Sequence, residues 1–184
     1  NKPGKHNIYN ALSAIAIARE YCLSWNQIQT GLLNLKLSSL RMDIIEHNHI
    51  TIINDTYNAN PLSMKAGIDV LVDMAEAEQR TIAVLGDMLE MGTNKNEAHL
   101  DVGSYLVNQR VDILITVGDL GQFIARGAQD EGLSTSNIFQ SENNEQAASI
   151  LNNLLSHDDI VLIKGSRGMK MEEIKDDIVK WEDI

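Results

Sequence analysis

Apolar residues recur along the chain with two different spacings, and the change between them separates a helical start from a longer alternating part. Residues 8–22 carry apolar side chains at helical spacing in an alanine-rich stretch, which predicts a first helix. Ser24, with Gln27 three residues later, has the form of a capping box and predicts a short second helix. Residues 34–39 show neither spacing and are predicted to form a linker.

After the linker, strand-like runs alternate with helical stripes. A hairpin is predicted from strands at 41–46 and 50–55 joined by the polar residues 47–49. The further predicted elements are strands at 81–85, 113–117, 137–139 and 160–163, with helices at 61–75, 98–106, 120–130, 145–155 and 171–181. Strands that are apolar throughout are buried on both faces. The chain is therefore predicted to be α/β, with a Rossmann-like, mostly parallel sheet, an antiparallel edge strand and helices on both faces.

Composition restricts the partners. The chain contains 43% hydrophobic residues, and 26 Asp and Glu against 15 Lys and Arg give a net charge of -11. Such a charge repels polyphosphate and anionic lipid, and no run of 18 apolar residues is present, so neither nucleic acid nor a membrane is an expected partner. The single Cys22, set among Ala and Leu, is interpreted as a small buried hydrophobe in a reducing compartment, which favours the cytoplasm.

Candidate chemistry lies in the loops that follow the predicted strands. In an open parallel sheet, ligands bind beyond the carboxyl ends of the strands, where loops and helix N-termini converge. Four such loops are expected on one rim, at residues 55–60, 86–92, 118–121 and 164–169. Their glycines, carboxylates, amides and cations suit a ligand with hydroxyl and anionic groups.

The same residues have ordinary structural interpretations, which stay open here. Asp55 is of a type common in turns. Asp87 and Glu90 are loop carboxylates in an acidic chain and are assigned no metal. Lys164 and Arg167 lie on a glycine-rich loop before a helix, which favours an anion, but they would serve equally in ion pairs with neighbouring acids. Neither G-x-G-x-x-G nor a P-loop occurs in the sequence.

Five segments resemble, in order and spacing, the Mur ligase family. They are residues 4–12 (GKHNIYNAL), 40–42 (LRM), 54–61 (NDTYNANP), 83–92 (AVLGDMLEMG) and 164–172 (KGSRGMKME). The first is similar to the segment that opens the last helices of the family's central ATPase domain. The resemblance therefore implies that residues 1–38 are the end of that domain and that residues 39–184 are the C-terminal domain.

The resemblance implies a monomeric, cytoplasmic enzyme of peptidoglycan precursor synthesis that joins D-Ala-D-Ala to UDP-N-acetylmuramoyl-tripeptide. In such a reaction, ATP phosphorylates the terminal carboxylate of the tripeptide, and the dipeptide amine attacks the acyl phosphate. The P-loop and the Mg²⁺ ligands are expected upstream of Asn1. The 184-residue chain alone is therefore expected to be inactive.

Site residues follow from the same resemblance. Asn7 and Asn10 would face the adenine. Arg41 would contact the ATP phosphates as the catalytic residue, and Asp55 would accept from the ribose hydroxyls. The residues expected to shape the same edge are Tyr57, Asn58 and Asn60. The residues expected to face the dipeptide, whose carboxylate suits a cation, are Asp87, Met88, Glu90, Lys164, Ser166 and Arg167.

Two other interpretations remain open. The first is another amide-forming ligase of the same superfamily, such as a folylpolyglutamate synthase. The second is a non-catalytic, receiver-like binding module. A receiver needs an acidic pair at its first strand end and Lys-Pro after its last strand, whereas here Asn54 precedes Asp55 and Gly165 follows Lys164.

Overall fold

The elements follow the order that the apolar pattern predicts. The computed structural model describes residues 4–35 and 40–181. The helices in these ranges are α1 Lys5–Glu20, α2 Trp25–Leu33, α3 Pro61–Met74, α4 Lys95–Asn108, α5 Gly121–Asp130, α6 Asn144–Leu154 and α7 Glu172–Ile178. The strands are β1 Asp43–His47, β2 Ile50–Asp55, β3 Thr81–Gly86, β4 Ile113–Val117, β5 Ile138–Ser141 and β6 Ile160–Lys164.

The six strands form one sheet in the order β1-β2-β6-β3-β4-β5. Strand β1 pairs antiparallel with β2, and every other neighbouring pair is parallel. The predicted parallel sheet with an antiparallel edge strand is thus confirmed. The loops after β2, β3, β4 and β6 consequently leave the same edge of the sheet, as predicted.

Apolar side chains cover both faces of the sheet. One cluster joins Ile53 and Leu162 to α3, α4 and α5, and the other joins Val84 and Val161 to α6 and α7. Successive strand residues point to opposite faces, so the consecutive apolar residues of β3 and β6 supply both clusters.

Local signals explain several boundaries. Ser24 and Gln27 form the predicted capping box of α2, and Asn60 with Ser63 forms another at α3, whose first residue is a proline. Strand β1 begins two residues later than predicted because Met42 has a φ of 47°, a left-handed conformation that no strand residue adopts.

The interpretation of Cys22 as buried is wrong. Helix α1 ends at Glu20, and Cys22 is exposed in the following turn with a φ of 59°. Its position beyond the helix end takes it out of the apolar stripe that the spacing suggested.

The two leading helices differ from the rest of the chain in exposure. Their exposed apolar side chains include Tyr9, Ile17, Trp25 and Leu33, the last at 80%. Part of the predicted linker, residues 36–39, lies outside the described residues, and so does the predicted domain boundary. Among the helices that the structure describes, none combines the length and apolarity needed to cross a membrane.

Candidate functional site

A cleft of about 370 Å³ lies where α1 meets the carboxyl end of β2. Its lining combines polar and apolar side chains from α1, the segment before β1, the end of β2 and the start of α3. The lining residues are Asn7, Asn10, Arg41, Met42, Asp55, Asn60, Leu62, Ser63 and Ala66. The structure thus brings together five of the residues expected to bind a nucleotide, although they are separated by up to 53 positions in sequence.

Asp55 lies at the end of β2 and is 7% exposed. Sheet register places it opposite Lys164 at the end of β6. Lys164 Nζ donates to Asp55 Oδ2 at 2.5 Å, and the Met42 N–H donates to Asp55 Oδ1 at 3.2 Å. A carboxylate offers about four lone-pair positions, so these two bonds leave acceptor capacity toward the cleft.

Lys164 is 1% exposed, which agrees with its ion-pair interpretation. Besides the Asp55 carboxylate, its ammonium faces the carbonyl oxygens of Asn58 at 3.0 Å and of Asp55 at 3.5 Å. Burial lowers the pKa of Lys164, while the charge of Asp55 and its hydrogen bond oppose that shift. With three acceptors around three N–H donors, Lys164 is bonded to residues next to the cleft and offers no free donor to the dipeptide loops.

Hydrogen bonds hold the residues on both sides of Arg41. The Tyr57 N–H donates to Leu40 O at 2.9 Å, and the Met42 N–H reaches Asp55. The Arg41 guanidinium stacks over the Tyr57 ring, 4.0 Å from its centroid. Arg41 itself is exposed, and the ion pairs formed within residues 4–35 and 40–181 do not include it. The edges of its guanidinium are available to an anion.

The start of α3 closes the other side of the cleft. The Ser63 N–H donates to Asn60 Oδ1 at 2.9 Å, and the Asn60 N–H donates to Ser63 Oγ at 3.0 Å. Asn58 uses its Oδ1 to accept from the Ala59 N–H at 2.9 Å. Asn58 and Tyr57 support neighbouring residues and do not themselves line the cleft. A helix N-terminus carries partial positive charge, which suits phosphate near Asn60.

The loops expected to face the dipeptide have a different character. Asp87 is buried and accepts at Oδ1 from the Leu120 N–H at 3.0 Å, and burial raises its pKa. The Ser166 N–H donates to Asp87 O at 3.1 Å, and Ser166 Oγ accepts from the Leu89 N–H at 2.9 Å. Asp87 and Ser166 therefore fasten the loops after β3, β4 and β6 to one another.

Met88 is fully buried in the core, so its side chain packs beneath the loop after β3. The Met88 N–H donates to His99 Nε2 at 2.9 Å, and His99 Nδ1 lies 2.5 Å from Lys95 O. These partners fix the tautomer, with the proton on Nδ1. Burial lowers the pKa of His99. Sequence reasoning found no role for His99, because its bond to Met88 depends on how α4 packs under the loop.

Glu90 and Arg167 are the exposed members of the expected dipeptide set. Arg167 Nη1 donates to Glu172 Oε1 at 2.6 Å, on the surface at the start of α7. Within the described ranges, no group of three His, Cys, Asp or Glu residues is arranged to hold a metal ion.

Comparisons with known proteins identify the family of the chain. The family profile described as "Mur ligase, glutamate ligase domain" matches residues 40–167. Two curated relatives named UDP-N-acetylmuramoyl-tripeptide–D-alanyl-D-alanine ligase come from Bacillus subtilis, at 36% identity over 178 residues, and Escherichia coli, at 32% over 178 residues. The alignments cover 96% and 94% of this chain. They cover only 38% and 36% of the relatives.

Two solved structures with the same fold are named as MurF. A crystal structure of MurF from Acinetobacter baumannii superposes with a TM-score of 0.85 at 29% identity, covering 97% of this chain and 38% of that one. MurF from Thermotoga maritima in complex with ADP shares the fold, with a TM-score of 0.80 at 23% identity over 98% of this chain and 39% of that one. Since the family profile spans most of the sequence, the chain belongs to the Mur ligase family.

Proposed function

We propose that this chain is part of an ATP-dependent ligase that joins D-Ala-D-Ala to UDP-N-acetylmuramoyl-tripeptide, and that it supplies residues that complete the nucleotide site. The observation that carries the proposal is the cleft at Asp55, which brings five of the seven expected nucleotide residues, from α1 and from residues 41–60, to one space. The names of the curated relatives support this member over other amide-forming ligases. Family membership replaces the receiver-like interpretation.

Three residues are proposed to hold the nucleoside. Asn7 and Asn10 are three positions apart on α1 and therefore lie on one helix face, where their amides can donate to and accept from the edge of the adenine. The free acceptor positions of Asp55 suit the ribose hydroxyls, which donate hydrogen bonds. Leu62 and Ala66, one helical turn apart at the start of α3, give the base an apolar surface.

Arg41 is proposed to act on the phosphates. The contact with the Tyr57 ring, 4.0 Å from its centroid, restrains the guanidinium, whose N–H groups are the donors for the phosphates. When ATP phosphorylates the tripeptide carboxylate, negative charge spreads over the transferred group, and a preorganised guanidinium stabilises that charge. Arg41 thereby contributes both to phosphate binding and to the rate of acyl phosphate formation.

Residues 1–38 are proposed to be the last helices of a central ATPase domain. The exposed apolar side chains of α1 and α2 fit a surface that packs against further structure. The P-loop and the ligands of Mg²⁺, which neutralises phosphate charge when bound, are proposed to lie in that domain. The chain spans less than two-fifths of the length of its curated relatives, so ligation by the isolated chain is not expected.

The loops after β3 and β6 are proposed to face D-Ala-D-Ala. Arg167 suits the dipeptide carboxylate because a guanidinium forms paired hydrogen bonds with a planar acid. Glu90 is proposed to attract the dipeptide ammonium. Asp87 and Ser166 shape these loops from below, and the UDP-linked tripeptide is assigned to the rest of a monomeric, cytoplasmic enzyme.

The test uses the full-length protein that contains this chain, with Arg41→Met and a matched control, Arg126→Met. Arg126 is 70% exposed in a surface pair with Asp130 on α5, away from the cleft. We expect Arg41→Met to lower kcat for ligation about 100-fold and to weaken ATP binding, while the control stays within about twofold of wild type. Equal activity of the two variants would contradict the role of Arg41. Efficient ligation of a single amino acid in place of D-Ala-D-Ala would point to another family member.

A further inference from the structure

The proposed function assigns no role to the buried ammonium group of Lys164. Lys164 ranks among the largest fully buried side chains, and burying an ammonium is unfavourable unless every donor finds a partner. We propose that Lys164 is a positioning residue of the nucleotide cleft, which locks Asp55 in place and thereby keeps Arg41 free for the nucleotide phosphates. This inference rests on the proposed function and deepens it.

The path of the Lys164 side chain is specific. From the end of β6 it passes α3 at Gly67, where an added Cβ would lie 3.1 Å from Lys164 Cδ. The glycine on this helix face leaves room for the aliphatic stem. Beyond it, the ammonium meets Asp55 Oδ2 and the carbonyl oxygen of Asn58. Lys164 thus reaches Asp55 without lining the cleft itself.

Asp55 passes this restraint on to the segment that carries Arg41. Its other oxygen accepts from the Met42 N–H, and Met42 adopts a left-handed φ of 47°, which is unfavourable for a non-glycine residue. The hydrogen bond from the Met42 N–H to Asp55 helps to hold this conformation. If Asp55 moves, Met42 loses that bond, and the direction of the neighbouring Arg41 changes with it.

The positive charge of Lys164 also affects Arg41, because both cations lie near Asp55. The pKa of Lys164 is lowered first by burial and also by the positive charge of Arg41, so two cations share the surroundings of one carboxylate. Lys164 takes the ion pair with Asp55, and Arg41 stacks on Tyr57 instead. Without Lys164, Asp55 would be left with Arg41 as its nearest compensating charge. The phosphates would then have to compete with Asp55 for that guanidinium.

The first experiment measures ATP affinity and the KM for D-Ala-D-Ala in the full-length ligase. The variants are Lys164→Met, Asp55→Asn and the double variant. The control is Lys65→Met, which removes another ion-paired lysine, on α3 and bonded to Asp101. Lys164→Met should weaken ATP binding about tenfold and leave the dipeptide KM within about twofold of wild type. Because Lys164 acts through Asp55, the double variant should bind ATP no more weakly than the weaker single variant.

Two outcomes would overturn the proposal. A raised dipeptide KM with unchanged ATP affinity would mean that Lys164 contacts the dipeptide. Losses of ATP affinity that multiply in the double variant would mean that Lys164 and Asp55 act independently.

The second experiment does not depend on ATP and remains informative if the proposed function fails. Hydrogen exchange of the Met42 amide is measured by NMR in the 184-residue chain. Lys164→Met should accelerate this exchange at least about tenfold over Lys65→Met, because the Asp55 acceptor is no longer held. If Lys164→Met does not fold, the double variant, which leaves no unpaired buried charge, is compared with wild type. Unchanged Met42 exchange would overturn the proposal.

Discussion

The two halves of the strand-end rim use similar residues in opposite ways. At β2 and α3, polar side chains surround an open cleft, and Asn10 and Arg41 reach solvent. At β3, β4 and β6, the polar side chains of Asp87, His99 and Ser166 are turned inward and bonded to backbone groups of neighbouring loops. Polarity at a strand end therefore marks the rim, whereas exposure and unused hydrogen-bonding capacity distinguish the side chains that can contact a ligand from those that hold the loops together.

The loops after β3, β4 and β6 form the inward half of the rim. The free energy of unfolding should be more sensitive to backbone changes in this half than in the other. Gly118 has a φ of 98°, and an added Cβ would lie 2.7 Å from Asp87 Oδ2. Gly132 has a φ of 110° with nothing near its missing Cβ, which makes Gly132→Ala a matched control for backbone strain alone. We expect Gly118→Ala to lower the free energy of unfolding by about 3 kcal/mol and Gly132→Ala by about 1 kcal/mol. Equal losses in urea titrations would show that Asp87 yields readily and that the loops after β3 and β4 are not rigidly joined.

The open half of the rim is the cleft at β2 and α3. Substitutions there should change ligand affinity and leave the free energy of unfolding unchanged. Asn10 is exposed on α1, so Asn10→Ala should weaken ATP binding in the full-length ligase about tenfold, the effect of about one lost hydrogen bond. The free energy of unfolding should not fall, since alanine is the better helix former. Ser13→Ala on the same helix is the control, because Ser13 does not line the cleft. A comparable loss of ATP affinity in the control would argue against a specific contact.

Ser166→Ala should show the reverse behaviour. The change removes the acceptor of the Leu89 N–H, and we expect the free energy of unfolding to fall by about 1 kcal/mol. ATP affinity should stay unchanged, while the dipeptide KM rises because the loop after β3 loosens. Ser149→Ala, at an exposed position of α6, supplies the baseline for a serine change. If Ser166→Ala is as stable as Ser149→Ala, the hydrogen bond from the Leu89 N–H to Ser166 does not contribute to the free energy of unfolding.

These contrasts explain how much could be predicted from the sequence. The element order, the α3 cap at Asn60 and the shared rim follow from local spacing and from the geometry of parallel sheets. The partnership of Asp55 with Lys164 does not, since 109 positions separate them and only the placement of β6 beside β2 makes them neighbours. From the sequence, Lys164 could bind an anionic ligand or form an ion pair with a neighbouring acid. Its burial and its contact with Asp55 favour the ion pair.

The smallest predicted effect concerns His99 and the pH dependence of the inward half. Burial lowers the pKa of His99 from its ordinary value of 6.5, with the Lys95 charge adding to that shift and Asp87 opposing it. As the pH falls below about 6.5, the unfolded chain takes up a proton that native His99 resists, so the free energy of unfolding decreases. This decrease ends once the pH passes below the pKa of the native state.

His99→Gln removes the titration and keeps an oxygen that can accept from the Met88 N–H. The stability advantage of wild type over this variant should therefore shrink as the pH is lowered from 7.5 toward 5. Urea titrations across that range measure it, and His157→Gln, at an exposed loop position, provides the control. Asp87 is present in both proteins, and its raised pKa acts in the opposite direction, adding stability on acidification, so the comparison largely removes its contribution. A constant difference across this pH range would mean that native His99 accepts a proton as readily as the unfolded chain, and the bond to Met88 would then be too weak to fix the loop.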